Sequence, residues 1–288
     1  MSRPRAAAVV ATRDRPQLLA DAVRSLAAIL AEGDELIVAE AGDSGAAAAL
    51  AAVEGPETRL VPVAGGGKSR QLNAAVATTA APVLLFTDDD CRVPAGWREA
   101  LCAALADDAV GIAFGPVAGL TSAPGAPEVV PGPPPGEAPL ATWTYAHGAS
   151  FAVRREAFDA VGGFDERLGP GAPAHGEEHD LLLRMREAGW RAVVADAPAV
   201  AHVEWRDPAE EARNALVYER GSGAFLGAAV RRSPRRAWPL LKHRYGYARQ
   251  LLRDRRGADR AFARRALAAF LGGLVYGVRL PPWPPERR

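Results

Sequence analysis

Cysteine is scarce in this chain of 288 residues, which has only Cys91 and Cys102. Two thiols cannot build a disulfide framework or a four-ligand zinc site, and they read as free thiols of a reducing compartment, the cytoplasm. Lysine is scarcer than its charge class suggests, since 33 of the 35 basic residues are arginine and only Lys68 and Lys242 are lysine. With so much Ala, Gly and Pro, that bias is one of composition, and the choice of Arg over Lys carries little functional meaning. Long hydrophobic runs are missing as well. The longest uncharged, largely apolar stretch, residues 266–278, has 13 residues and three glycines, fewer than a bilayer core of ~30 Å requires. Arg3 and Arg5 precede only a short apolar run at 6–12, so neither a signal peptide nor an integral membrane segment is expected. Net charge is nearly absent, at +1, while 49% of residues are hydrophobic and 24% charged. This balance excludes collagen, coiled coil and wholesale disorder, and the length gives ample core.

The small net charge hides a division. Residues 1–212 hold 17 basic and 30 acidic residues, a net of −13, whereas 213–288 hold 18 basic and 4 acidic, a net of +14. A step of that size predicts two regions with different partners, divided as 1–212 and 213–288. In the first region strand-like runs (7–11, 36–39, 60–63, 83–87, 111–117 and 150–153) alternate with helix-like ones (from Asp14, 69–79, 97–105, 177–189). Asp14 is read as the cap of the first helix, with Pro16 in its first turn. The alternation predicts an α/β fold, a mostly parallel sheet flanked by helices, whose ligands gather at the carboxyl ends of strands. Residues 121–140, with seven prolines and three glycines, read as a loop. Past His202, placed a short distance beyond the last strand, the pattern becomes helical and basic, and it ends in Pro281-Pro282-Trp283-Pro284-Pro285.

Three segments carry chemistry. Asp88-Asp89-Asp90 closes an apolar strand. Three carboxylates there repel one another unless a cation intervenes, and hard oxygen ligands suit Mg²⁺ or Mn²⁺. The competing reading is a solvated turn. Gly65-Gly66-Gly67-Lys68-Ser69-Arg70 leads glycines into a helix with two cations in its first turn, an anion site whose spacing is not that of a P-loop. Gly176-Glu177-Glu178-His179-Asp180 opens a later helix. Its carboxylates are either a general base or simply suited to the helix dipole.

In this order the segments resemble the family 2 glycosyltransferases, which have the GT-A fold. The shared pattern begins with Val9-Val10-Ala11-Thr12-Arg13-Asp14-Arg15-Pro16 and a second strand ending in Glu40, where Asp is usual. It continues with the Gly-Xaa-Ser-Arg-Gln-Xaa-Asn helix start at 67–73 and an Asp-Xaa-Asp motif met by Asp88 and Asp90. Gly148-Ala149-Ser150-Phe151 with Gly162-Gly163-Phe164-Asp165 is similar to the acceptor-side segment, and the helix start at 176–181 completes the set. The resemblance covers roughly residues 6–206. It implies donor contacts from Thr12, Arg13, Arg15, Glu40, Lys68, Arg70, Asp88 and Asp89, and metal ligation by Asp88, Asp90 and His202. Glu178 falls where the family's catalytic aspartate stands, with Glu177 as its rival, and Ala41-Gly42-Asp43 replaces the usual Asn-Gly-Ser turn. The implied reaction is inverting transfer from a nucleotide sugar to an acceptor hydroxyl with Mg²⁺ or Mn²⁺. Two alternatives from other classes are a sugar-nucleotide pyrophosphorylase-like nucleotidyltransferase and a non-catalytic membrane-associated scaffold.

Trp143, Tyr145 and His147 offer either a stacking platform for the acceptor or ordinary core. The basic tail either packs on the acidic region or lies on anionic lipid at the inner face of the membrane, which would suit a lipid-linked acceptor. No motif that reads DNA or RNA accompanies its arginines, so no nucleic acid partner is expected.

Overall fold

In this computed structural model residues 4–119, 146–203, 205–254 and 258–284 are described. The predicted loop at 121–140 and the platform residues Trp143 and Tyr145 lie outside them.

Apolar runs of period two place their side chains alternately on the two faces of one sheet. In β1 (Ala6–Arg13), Ala6, Ala8 and Val10 enter one core layer while Ala7 and Val9 enter the other. β2 (Glu35–Ala41) divides in the same way, Leu36 and Val38 against Ile37 and Ala39. The first layer is closed by α1 (Pro16–Ala27), α2 (Ala46–Ala51) and α4 (Trp97–Ala104), and the second by α3 (Lys68–Val76), α5 (Arg155–Ala160) and α6 (Glu177–Glu187). The remaining strands of this sheet are β3 (Glu57–Pro62), β4 (Val83–Asp88), β6 (Val110–Phe114), β8 (Phe151–Arg154) and β9 (Arg191–Val194). They give the order β3-β2-β1-β4-β8-β6-β9, in which only β8 runs antiparallel to its neighbours. A small second sheet sets β10 (Val200–His202) between β5 (Cys91–Arg92) and β7 (Val117–Ala118). The expected mostly parallel, helix-flanked sheet is therefore present.

Register brings the chemistry to one edge. Thr12 pairs with Glu40 and Ala11 with Asp88, so β1, β2 and β4 end side by side. Pairing of His202 with Cys91 then sets the last strand beside the Asp triplet. His202 is thus the final residue of β10 rather than a residue beyond the last strand. Asp14 does not cap α1 either. Arg15 occupies the cap position, and Asp14, at φ 56°, turns its carboxylate to accept from Asp43 N at 3.2 Å. The short helix α2, almost all alanine, has too little periodicity to be read from sequence.

The tail forms α7 (Pro208–Arg232), α8 (Pro234–Asp254) and α9 (Ala258–Arg279), and the charge step at 213 falls inside α7. Asp207 caps α7 by accepting from Glu210 N at 2.7 Å. α7 and α9 meet backbone to backbone: a Cβ at Gly223, Gly227, Gly273 or Gly277 would collide with the facing helix's carbonyl oxygens. Small-residue pairs four apart allow such close approach. Residues 260–279, at mean hydropathy 1.3, are by length and composition long and apolar enough to cross a membrane. This corrects the sequence count, which ended at Arg265 although the helix runs on. α7 also packs on the sheet domain. Phe225 stacks on His179 with ring centroids 4.9 Å apart, and Arg232 reaches the fully buried Asp180 at 2.9 Å. Trp283 donates to Gly162 O at 3.0 Å and ties the far end of the tail to the same domain.

Candidate active site

The Asp triplet divides its labour by burial. Asp89, 3% exposed, accepts from Thr12 Oγ1 and Arg15 Nη1, both at 2.8 Å. Burial pushes its carboxyl above the ordinary value, against the pull of Arg15. Thr12 is itself closed in at 2% exposure, and its carbonyl accepts from Gln71 Nε2 at 2.7 Å. Thr12 and Asp89 therefore brace the strand ends rather than face an open site. Asp88 and Asp90 point elsewhere. Asp88 is paired with the Lys68 ammonium. Asp90 Oδ2 accepts from the Trp205 indole N–H at 2.8 Å and lies 3.5 Å from Arg15 Nη1 and 4.0 Å from Arg206 Nη2. Its Oδ1 is 3.5 Å from His202 Nε2.

Lys68 stands at the centre of the negative charge. Its helix starts after Gly67, at φ 127°, where the chain turns tightly from the Gly-rich segment. Its backbone N–H is taken by Pro170 O at 2.9 Å, so that donor is already used. The Lys68 ammonium is also 3.5 Å from Glu177 Oε1. Burial opposes its charge, but Asp88, Glu177 and Glu178 outweigh that and hold its pKa well above the ordinary value.

The two glutamates at the start of α6 diverge. Glu177, 4% exposed, accepts from Gly176 N at 3.2 Å, and burial together with the Glu178 charge pushes its pKa up. Glu178 is only partly buried, and although desolvation opposes its charge, His179, whose Nδ1 is 3.0 Å from Glu178 Oε1, and Lys68 hold its pKa low. Gly148 leaves the space beside Glu178 open, since a Cβ there would stand 3.3 Å from Lys68 Nζ and 3.7 Å from Glu178 Cδ. His147, two residues past Tyr145, is pushed down to about 4 by burial and by His179, with Glu178 acting in the opposite sense.

Other expected donor contacts sit at the rim. Arg13 is exposed, beside the Gly66 backbone. Arg70 turns to Glu166 at 3.4 Å. Glu40 commits Oε1 to the N–H groups of Ser44 and Ala46, at 2.7 and 3.1 Å, and so organises the turn into α2. The structure thus gathers Arg15, Lys68, Asp88, Asp90, Glu178 and His202, and leaves Arg13, Glu40 and Arg70 around them.

Ligating atoms of Asp88, Asp90 and Cys91 lie within 4.8 Å of one another. Burial and the two neighbouring aspartates push the Cys91 thiol well up, so the hard carboxylate oxygens are the donors that match Mg²⁺ or Mn²⁺. Both carboxylates are already answered by cationic groups, and the His202 Nδ1 is buried with no hydrogen-bond partner among the described residues. These donors fit a divalent cation. Sequence reasoning did not single out Trp205, Arg206, His175 or Tyr218 as site residues. Trp205 and Arg206 follow closely on His202 and could have been read with it. Tyr218, on a helix taken as a separate tail, carried no signal.

Comparison with known proteins places this geometry. The model described as glycosyl transferase family 2 matches residues 7–162. No curated protein matches the chain in sequence. Among solved structures, the mannosyltransferase PcManGT from Pyrobaculum calidifontis, in complex with GDP-Man and Mn²⁺, is 18% identical with a TM-score of 0.59, over 96% of this chain and 88% of that one. S. aureus TarS 1–349 in complex with UDP-GlcNAc is 13% identical with a TM-score of 0.61, over 93% and 72%. Glucosyl-3-phosphoglycerate synthase from Mycobacterium tuberculosis, with Mn²⁺, UDP and glucosyl-3-phosphoglycerate, is 16% identical with a TM-score of 0.55, over 76% and 78%. At these identities the likeness is one of fold, the GT-A fold.

Proposed function

The chain belongs to glycosyl transferase family 2, and from that premise we propose that it moves a sugar from a nucleoside-diphosphate sugar to an acceptor hydroxyl, with inversion and with Mg²⁺ or Mn²⁺ as cofactor. The carrying observation is that Asp88 and Glu178 converge on the Lys68 ammonium while Asp90 lies within ligating reach of Asp88. Membership of a transferase family, with these carboxylates intact, favours this reading over the nucleotidyltransferase and the scaffold.

Asp88 and Asp90, with His202 beside them, are the groups that would hold the divalent ion. Bound there, the ion supplies charge neutralisation for a leaving diphosphate. Lys68 and Arg15 add fixed positive charge from the protein, and Arg13 and Arg70 extend it along the rim. Thr12 and Asp89 keep Arg15 in place. Glu178 is the general base. Held low by His179 and Lys68, it is ionised at neutral pH and can accept the acceptor's hydroxyl proton as that oxygen attacks. Glu177, tied to Gly176 N, serves the helix start. A screen of nucleotide sugars for nucleoside-diphosphate release, with and without EDTA, tests the reading. Release from at least one donor that stops with EDTA supports it, and no release from any donor counts against it.

The tail supports peripheral membrane contact at the cytoplasmic face, with a lipid-linked acceptor as its corollary. Trp238 is 57% and Tyr245 70% exposed on the basic helix α8, and Leu271, Val275 and Val278 lie exposed along α9. Attraction to an anionic surface is worth ~1 kcal/mol per nearby basic residue and is screened by salt. The full chain is expected to sediment with anionic but not neutral vesicles at low salt, less so after Trp238→Ala with Tyr245→Ala. Equal recovery with both vesicle types would leave the tail as packing alone.

A further inference from the structure

Among the described residues four aromatic side chains stand out as exposed: Trp205, Tyr218, Trp238 and Tyr245. Two of them belong to the site rather than to the basic outer helices. The Trp205 ring is already covered, with the Arg15 and Arg206 guanidinium carbons 4.4 and 4.6 Å from its centroid and its N–H on Asp90. Tyr218 is different. It is 52% exposed, and its ring meets that of His175 at 5.3 Å and 83°.

The middle of α7 is held against the segment that leads into Glu177 and Glu178. Arg220 Nε donates to Pro173 O at 2.9 Å. Gly221 allows close approach to the His175 backbone, 2.8 Å from where its Cβ would be. The Tyr218 side chain thus overhangs the start of α6. Its hydroxyl lies within electrostatic reach of Arg206, Asp88, Glu178 and Lys68. His175 is pushed down by burial and responds to Glu178, Lys68 and Arg206. An aromatic ring and a neutral imidazole, in contact with each other, therefore stand within electrostatic reach of the base.

We propose that Tyr218, with His175, is the acceptor platform of this enzyme, and that the acceptor is a pyranose whose ring lies on the Tyr218 face while its hydroxyl reaches Glu178. An aromatic body with a polar tip suits such a ligand: the ring packs on C–H groups and the tip hydrogen-bonds to hydroxyls. The platform lies beyond residue 162, where the family match ends, so acceptor choice is built by the tail that the sequence set apart. This inference rests on the glycosyl-transfer reading. Whether the pyranose is free or carried on a lipid, the chemistry at Tyr218 is the same.

Saturation-transfer NMR tests it on the full chain with UDP or GDP and Mg²⁺. One arm uses soluble methyl pyranosides, and the other uses phosphatidylglycerol vesicles carrying a monoglycosyl diacylglycerol. Saturation of sugar protons in either arm, cut at least 5-fold by Tyr218→Ala and kept by Tyr218→Phe, supports the platform; the arm that responds identifies the source. Binding that Tyr218→Ala leaves unchanged overturns it. So does no sugar binding in either arm while nucleotide binding persists, a result that leaves the transferase reading standing. Loss of nucleotide binding in the unmodified protein would instead overturn the transferase reading.

Discussion

Glu177 and Glu178, neighbours on the chain, are driven to opposite protonation: burial and its neighbour's charge raise Glu177, while His179 and Lys68 overcome burial to hold Glu178 ionised. The consequence is a division of roles. Glu178→Gln should keep nucleotide binding and lower transfer by at least ~100-fold, the lower end of a general base's contribution. Glu177→Gln retains an oxygen for Gly176 N–H and should cost less than ~10-fold on that scale. Steady-state transfer rates decide it; the reverse ranking would move the base to Glu177.

Lys68 occupies charge that a divalent ion also wants. Removing it should therefore act in two directions. Lys68→Ala should bind Mn²⁺ alone more tightly, because Asp88 loses its competing cation, yet bind nucleoside diphosphate at least 10-fold more weakly at saturating metal. Calorimetric titrations of each ligand separate the two effects. A parallel loss of both affinities would mean that Lys68 holds the site's shape rather than competing for its charge.

The buried pair Asp34–Arg98 ties the start of β1 to α4. Both side chains are 2% exposed, the contacts are 2.9 and 3.0 Å, and Asp34 also accepts from Ala6 N. Breaking such a pair costs about 3–5 kcal/mol, so Arg98→Ala should lose that much in denaturant unfolding at pH 7. Burial opposes the Asp34 charge, but Arg98 and two backbone N–H groups outweigh it and lower its pKa. A carboxylate lowered on folding contributes stability that is present above its unfolded pKa and lost as pH falls through the folded one. The native protein should lose this contribution on acidification below about pH 4, and Asp34→Asn should lack that component of its acid dependence.

Adjacent glycines in α9 make a controlled pair. Gly273 faces the Arg220 carbonyl and Gly272 meets only the end of the Arg220 side chain, at 3.7 Å. Gly273→Ala should destabilise by about 1–3 kcal/mol through overpacking. Gly272→Ala should stabilise by about 0.5–1 kcal/mol, the helix preference for Ala. Thermal melts of both read the difference. Equal effects would contradict close packing of α7 on α9.

Legibility followed locality. The ends of β1, β2 and β4 could be read because burial on both faces gives continuous apolar runs that stop at Thr12, Glu40 and Asp88. The aspartates of the 88–90 triplet and the glutamates of α6 stood out because each lies beside the element that presents it. What could not be read depended on distant partners. Thr12 and Asp89 are joined by a side-chain hydrogen bond between residues 77 apart, which only the fold brings together. Asp14 read as a cap, but Asp43 claims its carboxylate. Tyr218 was invisible because its place depends on α7 folding back over α6, which the change in charge at residue 213 disguised as a separate region.

The central claim is that Asp88 and Asp90 form a divalent-ion site for a nucleoside diphosphate. Calorimetric titration of UDP and GDP into the native protein and Asp90→Ala, each with Mn²⁺ and with EDTA, tests it most directly. The account predicts that the native protein binds one of them only with Mn²⁺, and that folded Asp90→Ala binds neither in either condition. Equal affinity with Mn²⁺ and EDTA in both proteins would contradict it.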